Sequence, residues 1–200
     1  MPEVKPNSAP VNGPPLVAAV YSPMARMFHW LTLALLAIQI PLGLFMTNYA
    51  ERTKFAEPSG RMYDTHKLLG MVILLVVAAR LIYRFRNGAP DDEPTLEPWQ
   101  KLISHLTHWG IYGLLVAVPF LGWLAVSFYG PFAPFGIRLP ALASENQAVA
   151  DTLFKVHKYS AFLLILMVGM HIGAALFHYV IRKDGVLNRM LPALPRRDGN

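Results

Sequence analysis

Four stretches of the chain are apolar over a length that water-facing helices do not need. They run about Met27 to Tyr49, Thr65 to Tyr83, Ile103 to Tyr129 and Leu153 to Ile181. A helix rises about 1.5 Å per residue, so each stretch can cross a hydrocarbon layer of ~30 Å. The pattern predicts an all-α integral membrane four-helix bundle with helices at about 27–49, 65–83, 103–129 and 153–181. Pro41 and Pro119 fall inside the first and third helices, which a bundle tolerates because neighbouring helices satisfy the freed backbone groups. Residues 1–20 carry five prolines and read as a flexible tail that is not cleaved as a signal peptide. Residues 21–190 then form the membrane domain, and 191–200 a C-terminal tail. The 130–152 connection is long and holds Phe132, Phe135, Pro131, Pro134 and Pro140. It is expected to cap one mouth of the bundle or to serve as a docking surface.

Composition agrees with a membrane protein. The 200 residues are 54% hydrophobic and 15% charged. The net charge of +6 does not point to nucleic acid, because the basic residues sit between the membrane-length runs. Ten Lys and Arg residues fall on the side of the termini and the 84–104 loop, against seven on the other side, with Arg80 just inside the former. The positive-inside rule therefore places both termini in the cytoplasm. The absence of cysteine excludes disulfides, iron–sulfur clusters, thiolate zinc sites and covalent haem attachment.

The chemistry-bearing signal is histidine. His157 and His171 are 14 residues apart in the fourth run, which is about 40° short of four helical turns and roughly 21 Å along the axis. They share a face at two depths. His29 lies near the cytoplasmic end of the first helix and His66 opens the second on the outer side. Depth therefore pairs His66 with His157 outside and His29 with His171 inside, the arrangement of two bis-histidine b-type haems. His178, seven residues beyond His171, is an alternative partner for His29. Otherwise it is a candidate contact for a quinone headgroup or a haem propionate. Gly43, Gly70, Gly169 and Gly173 are candidate clearances for a porphyrin edge, although glycine also serves ordinary helix packing. Arg26, Lys67, Lys155 and Lys158 are candidate contacts for propionates or an anionic substrate, against the plainer reading of snorkelling interfacial cations. His105 and His108 read chiefly as interfacial residues, and Arg80, Arg84 and Arg86 as a positive-inside anchor. No catalytic residue is assigned.

An ordered set of short motifs carries a resemblance. It comprises Tyr21-Ser22, Phe28-His29-Trp30, His66 with Gly70 ahead of Arg80-Leu81, His105-x-x-His108 with Ile111-Tyr112, and Phe135-Gly136 with Pro140. His157, Gly169-Met170-His171 and Ala174-Ala175-Leu176-Phe177-His178 complete it. From Tyr21 to Pro192 the sequence resembles the bacterial cytochrome b561 family of small dihaem membrane cytochromes. The resemblance implies His29 with His171 on one haem iron and His66 with His157 on the other. It also implies a multi-pass protein of the bacterial inner membrane, surrounded by lipid, that oxidises superoxide and reduces ubiquinone. The alternative it implies is an electron-transfer subunit linking a dehydrogenase or hydrogenase partner protein to the quinone pool. A histidine-bearing transporter or structural protein is the contrasting class, and it would be colourless.

Overall fold

The computed structural model describes residues 19–130 and 133–194. The proline-rich tail up to residue 18, Pro131, Phe132 and the tail from residue 195 lie outside the described residues. Four long helices make the fold: α1 Pro23–Thr53, α2 Ser59–Asn87, α3 Pro98–Tyr129 and α4 Gln147–Phe177. All four are long and apolar enough to cross a membrane, and no strand occurs among the described residues. The all-α membrane bundle expected from the sequence is the fold observed.

Every helix starts several residues before its apolar run. For α1, α3 and α4 the reason lies in polar capping, which hydropathy does not register; α2 starts behind Pro58 without a side-chain cap. The Ser22 hydroxyl accepts the Ala25 N–H at 3.2 Å, with Pro23 in the first turn. Glu97 and Gln100 cap α3 reciprocally, ahead of which Pro98 fixes the first turn. The Asn146 side chain accepts the Val149 N–H at 3.2 Å. Such caps satisfy orphan backbone donors and let the helices run on into the membrane interface.

The helices pack in chain order, α1 on α2, α2 on α3 and α3 on α4. The buried core is a single layer of Leu36, Ile73, Val77, Leu115, Val118 and Leu164, to which all four helices contribute. Ile38, Leu75, Leu106 and Leu166 are exposed. That is the expected distribution where lipid is the solvent and helices associate by packing and hydrogen bonds.

The chain crosses the two ends differently. At the far end, the loop from 133 to 146 lies over the helices. The Phe135 N–H donates to Asp64 at 3.1 Å, and the Trp123 indole N–H to the Pro140 carbonyl at 3.0 Å. At the end that holds both described termini, α4 continues as a π-helical turn, His178–Arg182, and reverses at Lys183, whose φ is 55°. The following strap is tied back to the start of the chain. The Trp30 indole N–H donates to the Met190 carbonyl, and the Tyr21 N–H to the Arg189 carbonyl, each at 3.2 Å. Arg189 is only 8% exposed and donates to the carbonyls of Ala19 and Asp91. Charged hydrogen bonds of this kind contribute about 1.5–3 kcal/mol each. Arg189→Met should therefore loosen the strap by about 2–3 kcal/mol. Hydrogen exchange at Tyr21 and Met190 should accelerate while the mid-helix amides stay protected; uniform exchange across the bundle would contradict a local tether.

Candidate functional site

The site is built on one interval repeated in all four helices. Each helix presents two residues 14 apart: His29 and Gly43 on α1, His66 and Arg80 on α2, His108 and Gly122 on α3, His157 and His171 on α4. Fourteen residues are two heptads, the interval that keeps side chains facing the same neighbours in a left-handed bundle. The eight residues form two levels, with the buried core layer between them in sequence on every helix.

At the far level, the His66 and His157 rings face each other with centroids 6.2 Å apart and planes at 86°. His157 Nδ1 lies 2.8 Å from the Val118 carbonyl. A carbonyl can only accept, so Nδ1 carries the proton and Nε2 keeps its lone pair. The Gln39 amide N–H groups reach His66 Nε2 at 3.3 Å and the His66 carbonyl at 3.0 Å. His66 Nδ1 is buried without a partner. The other two helices offer no side chain here. A Cβ on Gly43 would lie 2.9 Å from His66 Cε1, and one on Gly122 would lie 3.1 Å from His157 Cε1 and Nδ1. A Cβ at Gly43 would force a shift, and one at Gly122 would press the His157 ring by a few tenths of an ångström.

At the terminal level, the His29 and His171 centroids are 6.1 Å apart, with planes at 64°. His108 lies closer still to His171, at 5.1 Å. Its Nδ1 lies 2.7 Å from the Ser104 carbonyl, so Nε2 is again the free lone pair. The Arg80 guanidinium donates to His29 Nδ1 at 3.2 Å, and its Cζ stands 4.9 Å over the Tyr112 ring.

The structure thus brings His29 beside His171 and His66 beside His157. It does not bring His29 to His178. The His178 ring instead donates from Nδ1 to Asp184 at 2.5 Å, and the two side chains are 13% and 6% exposed. Arg182 reaches the same carboxylate at 3.6 Å. His105 is exposed and bonds Asp92 at 3.1 Å, outside the cluster. Lys67 pairs with Asp64 at 3.6 Å and Arg61 with Glu57 at 3.5 Å, which offsets part of the far-end positive charge. Lys155, Lys158 and Arg138 are exposed, and none forms an ion pair among the described residues. Arg26 is half-buried at the terminal end, with a buried Nε that has no partner.

Three assignments change. Arg80 is a member of the site rather than a boundary anchor, and His108 sits in the cluster while its neighbour His105 does not. Gly169 and Gly173 meet nothing within 4 Å. Two residues on a helix are about 200° apart, so both glycines point away from the His171 face. The missed members, Arg80, His108 and Gly122, all carried one readable signal: the 14-residue interval already visible between His157 and His171 and between His29 and Gly43.

Comparison with known proteins places the chain among small membrane cytochromes. Residues 20–193 match the family described as prokaryotic cytochrome b561. The chain is 31% identical over 173 residues to a "Probable superoxide oxidase CybB" of Yersinia pestis, covering 86% of this chain and 96% of that one. It is 29% identical over 170 residues to "Cytochrome b561 homolog 1" of Escherichia coli (strain K12), covering 82% and 92%. It is 27% identical over 172 residues to "Cytochrome b562" of Cereibacter sphaeroides, covering 86% and 94%. With four membrane-length helices and histidines facing one another inside them, the chain belongs to the prokaryotic cytochrome b561 family, multi-pass membrane proteins that transfer electrons through haem b.

Proposed function

We propose that this protein is a dihaem superoxide:ubiquinone oxidoreductase of the bacterial inner membrane, with both termini in the cytoplasm. The observation that carries the reading is the pair of facing imidazoles repeated at two levels. Two metal–nitrogen bonds of about 2 Å, plus a ring radius of about 1.1 Å on each side, put bis-imidazole centroids roughly 6 Å apart. The separations of 6.1 and 6.2 Å fit that spacing. The fixed tautomer of His157 and the glycine cradles at Gly43 and Gly122 support it further. His29 and His171 would hold one haem and His66 and His157 the other. Haem supplies one-electron chemistry; the chain supplies the ligands, the spacing and the surrounding charge.

Superoxide loses one electron to become dioxygen. Two electrons and two protons convert ubiquinone to ubiquinol, so two superoxide anions are consumed for each quinone. Lys155 and Lys158, exposed near His157, are the cations best placed to attract the anion, with Lys67 restrained by Asp64. Reversing both free lysines to Glu should slow superoxide oxidation about tenfold at low ionic strength and leave the haem content unchanged. Equal rates would remove the steering role. His178 is the proposed quinone contact: Asp184 holds its Nδ1 proton, which leaves Nε2 without a protein partner among the described residues. Arg26 is a further cation at this end. The resemblance to the Yersinia pestis protein supports the choice of superoxide as donor.

The decisive test uses the purified full chain in detergent with a superoxide source and ubiquinone. Stoichiometric quinol formation, abolished by superoxide dismutase, is the expected result. A haem-loaded protein inert to superoxide would sink the reading. A second reading, an electron-transfer subunit, draws on Phe135 and Ile137, which stand exposed on the far-end loop. It predicts an inert haem-loaded protein that becomes reducible when a soluble dehydrogenase partner is supplied.

A further inference from the structure

The two levels differ at the positions that do not carry the paired imidazoles. At the far level these are Gly43 and Gly122, which clear space. At the terminal level the equivalent positions are Arg80 and His108, neither of which is small. We propose, resting on the dihaem reading, that Arg80 is the counter-ion of a propionate of the terminal-level haem, and that this haem lies with its carboxylate edge toward Arg80 on α2.

Four observations carry this. First, no acidic side chain among the described residues pairs with Arg80, although the residue is half-buried among apolar helices. A guanidinium in that setting is costly unless an anion meets it. Second, its contacts to His29 Nδ1 and to Tyr112, whose ring it overlies and whose side chain it also hydrogen-bonds, leave several of five N–H donors unused. Third, a cavity of about 20 Å³ adjoins it, lined by Arg80, Arg84, Tyr21, Tyr83 and Tyr112. The lining offers two cations and three hydroxyls and no carboxylate. The cavity is large enough for one water or one carboxylate oxygen.

The fourth observation concerns the His29 contact itself. A guanidinium only donates, so the bond to Nδ1 requires His29 to hold its proton on Nε2. Ligation through Nε2 requires the opposite tautomer, which Arg80 cannot satisfy. Arg80 must then leave His29, and the released fork matches a carboxylate in shape and charge.

The test uses the purified holoprotein carrying haem labelled with ¹³C in its propionates. Redox-difference infrared spectra isolate the label-sensitive carboxylate bands. Arg80→Gln should shift one of these bands. It should also lower the reduced-to-oxidised ratio of the terminal-level haem about tenfold at fixed potential, since a cation near iron favours the ferrous state; tenfold is about 59 mV for one electron. Lys67→Gln should leave that haem untouched. Two haems per chain with unmoved bands in Arg80→Gln would overturn the assignment while leaving the dihaem reading intact. A wild-type protein without two haems would sink the dihaem reading instead. If Arg80→Gln does not retain haem, Arg80→Lys decides the matter: the charge remains but the two-pronged fork is lost, so the band should still move. An unmoved band there means that Arg80 acts only on folding.

Discussion

Replacing His171 by alanine is expected to reduce the haem content from two per chain to one, whereas replacing His178 leaves two. His171 faces His29 at 6.1 Å and lies 5.1 Å from His108, in the interior of the bundle. Losing a residue that hydrogen-bonds a metal ligand typically costs 10–100-fold in affinity. Losing an axial imidazole costs more, and the terminal level should empty. His178 is held instead by Asp184 in the turn beyond α4, so its loss should impair quinone reduction and spare the spectrum. A reduced-minus-oxidised spectrum with quantified haem, run on both variants, checks this. Retention of two haems in His171→Ala would mean that His108 can replace it as ligand. Loss in His178→Ala would move the terminal site two turns along α4.

Enlarging the far-level glycines should have an effect nearly as large. Gly43→Leu places its first carbon 2.9 Å from His66 Cε1, and Gly122→Val places one 3.1 Å from two His157 ring atoms. Neither neighbour is the loose end of a flexible chain. The His157 ring is pinned by its bond to the Val118 carbonyl, so Gly122→Val must break that bond or shift α3. Overpacking at such contacts costs about 1–3 kcal/mol and displaces the rings. Each variant should lose one haem, with the His29/His171 level retained. Gly173→Leu is the control: nothing lies within 4 Å of it, and its helical position faces away from the site. It should keep both haems. Equal loss in all three variants would indicate a general packing defect, and no loss in Gly43→Leu would remove the cradle from the site.

The number of helices, their membrane character and the main histidine positions were determined by the sequence alone. The physical reason is that a bilayer imposes a length on every spanning segment and a cost on every ionisable residue within it. Four apolar runs and a few embedded histidines therefore stand out without any structure. The 14-residue interval in the fourth run follows from helix geometry, which is local. Which residues close the two levels was decided by the tertiary structure. Arg80 looked like an anchor because charge near a helix end reads alike whether it meets lipid headgroups or the bundle interior. His105 and His108 looked alike because three residues separate them; only the packing of α3 on α4 turns one toward His171 and leaves the other with Asp92. Gly122 lies between no obvious markers, and its purpose appears only when α4 brings His157 against it. Side-chain identity records what a residue can do, whereas which side of a helix meets which neighbour depends on contacts between segments far apart in sequence.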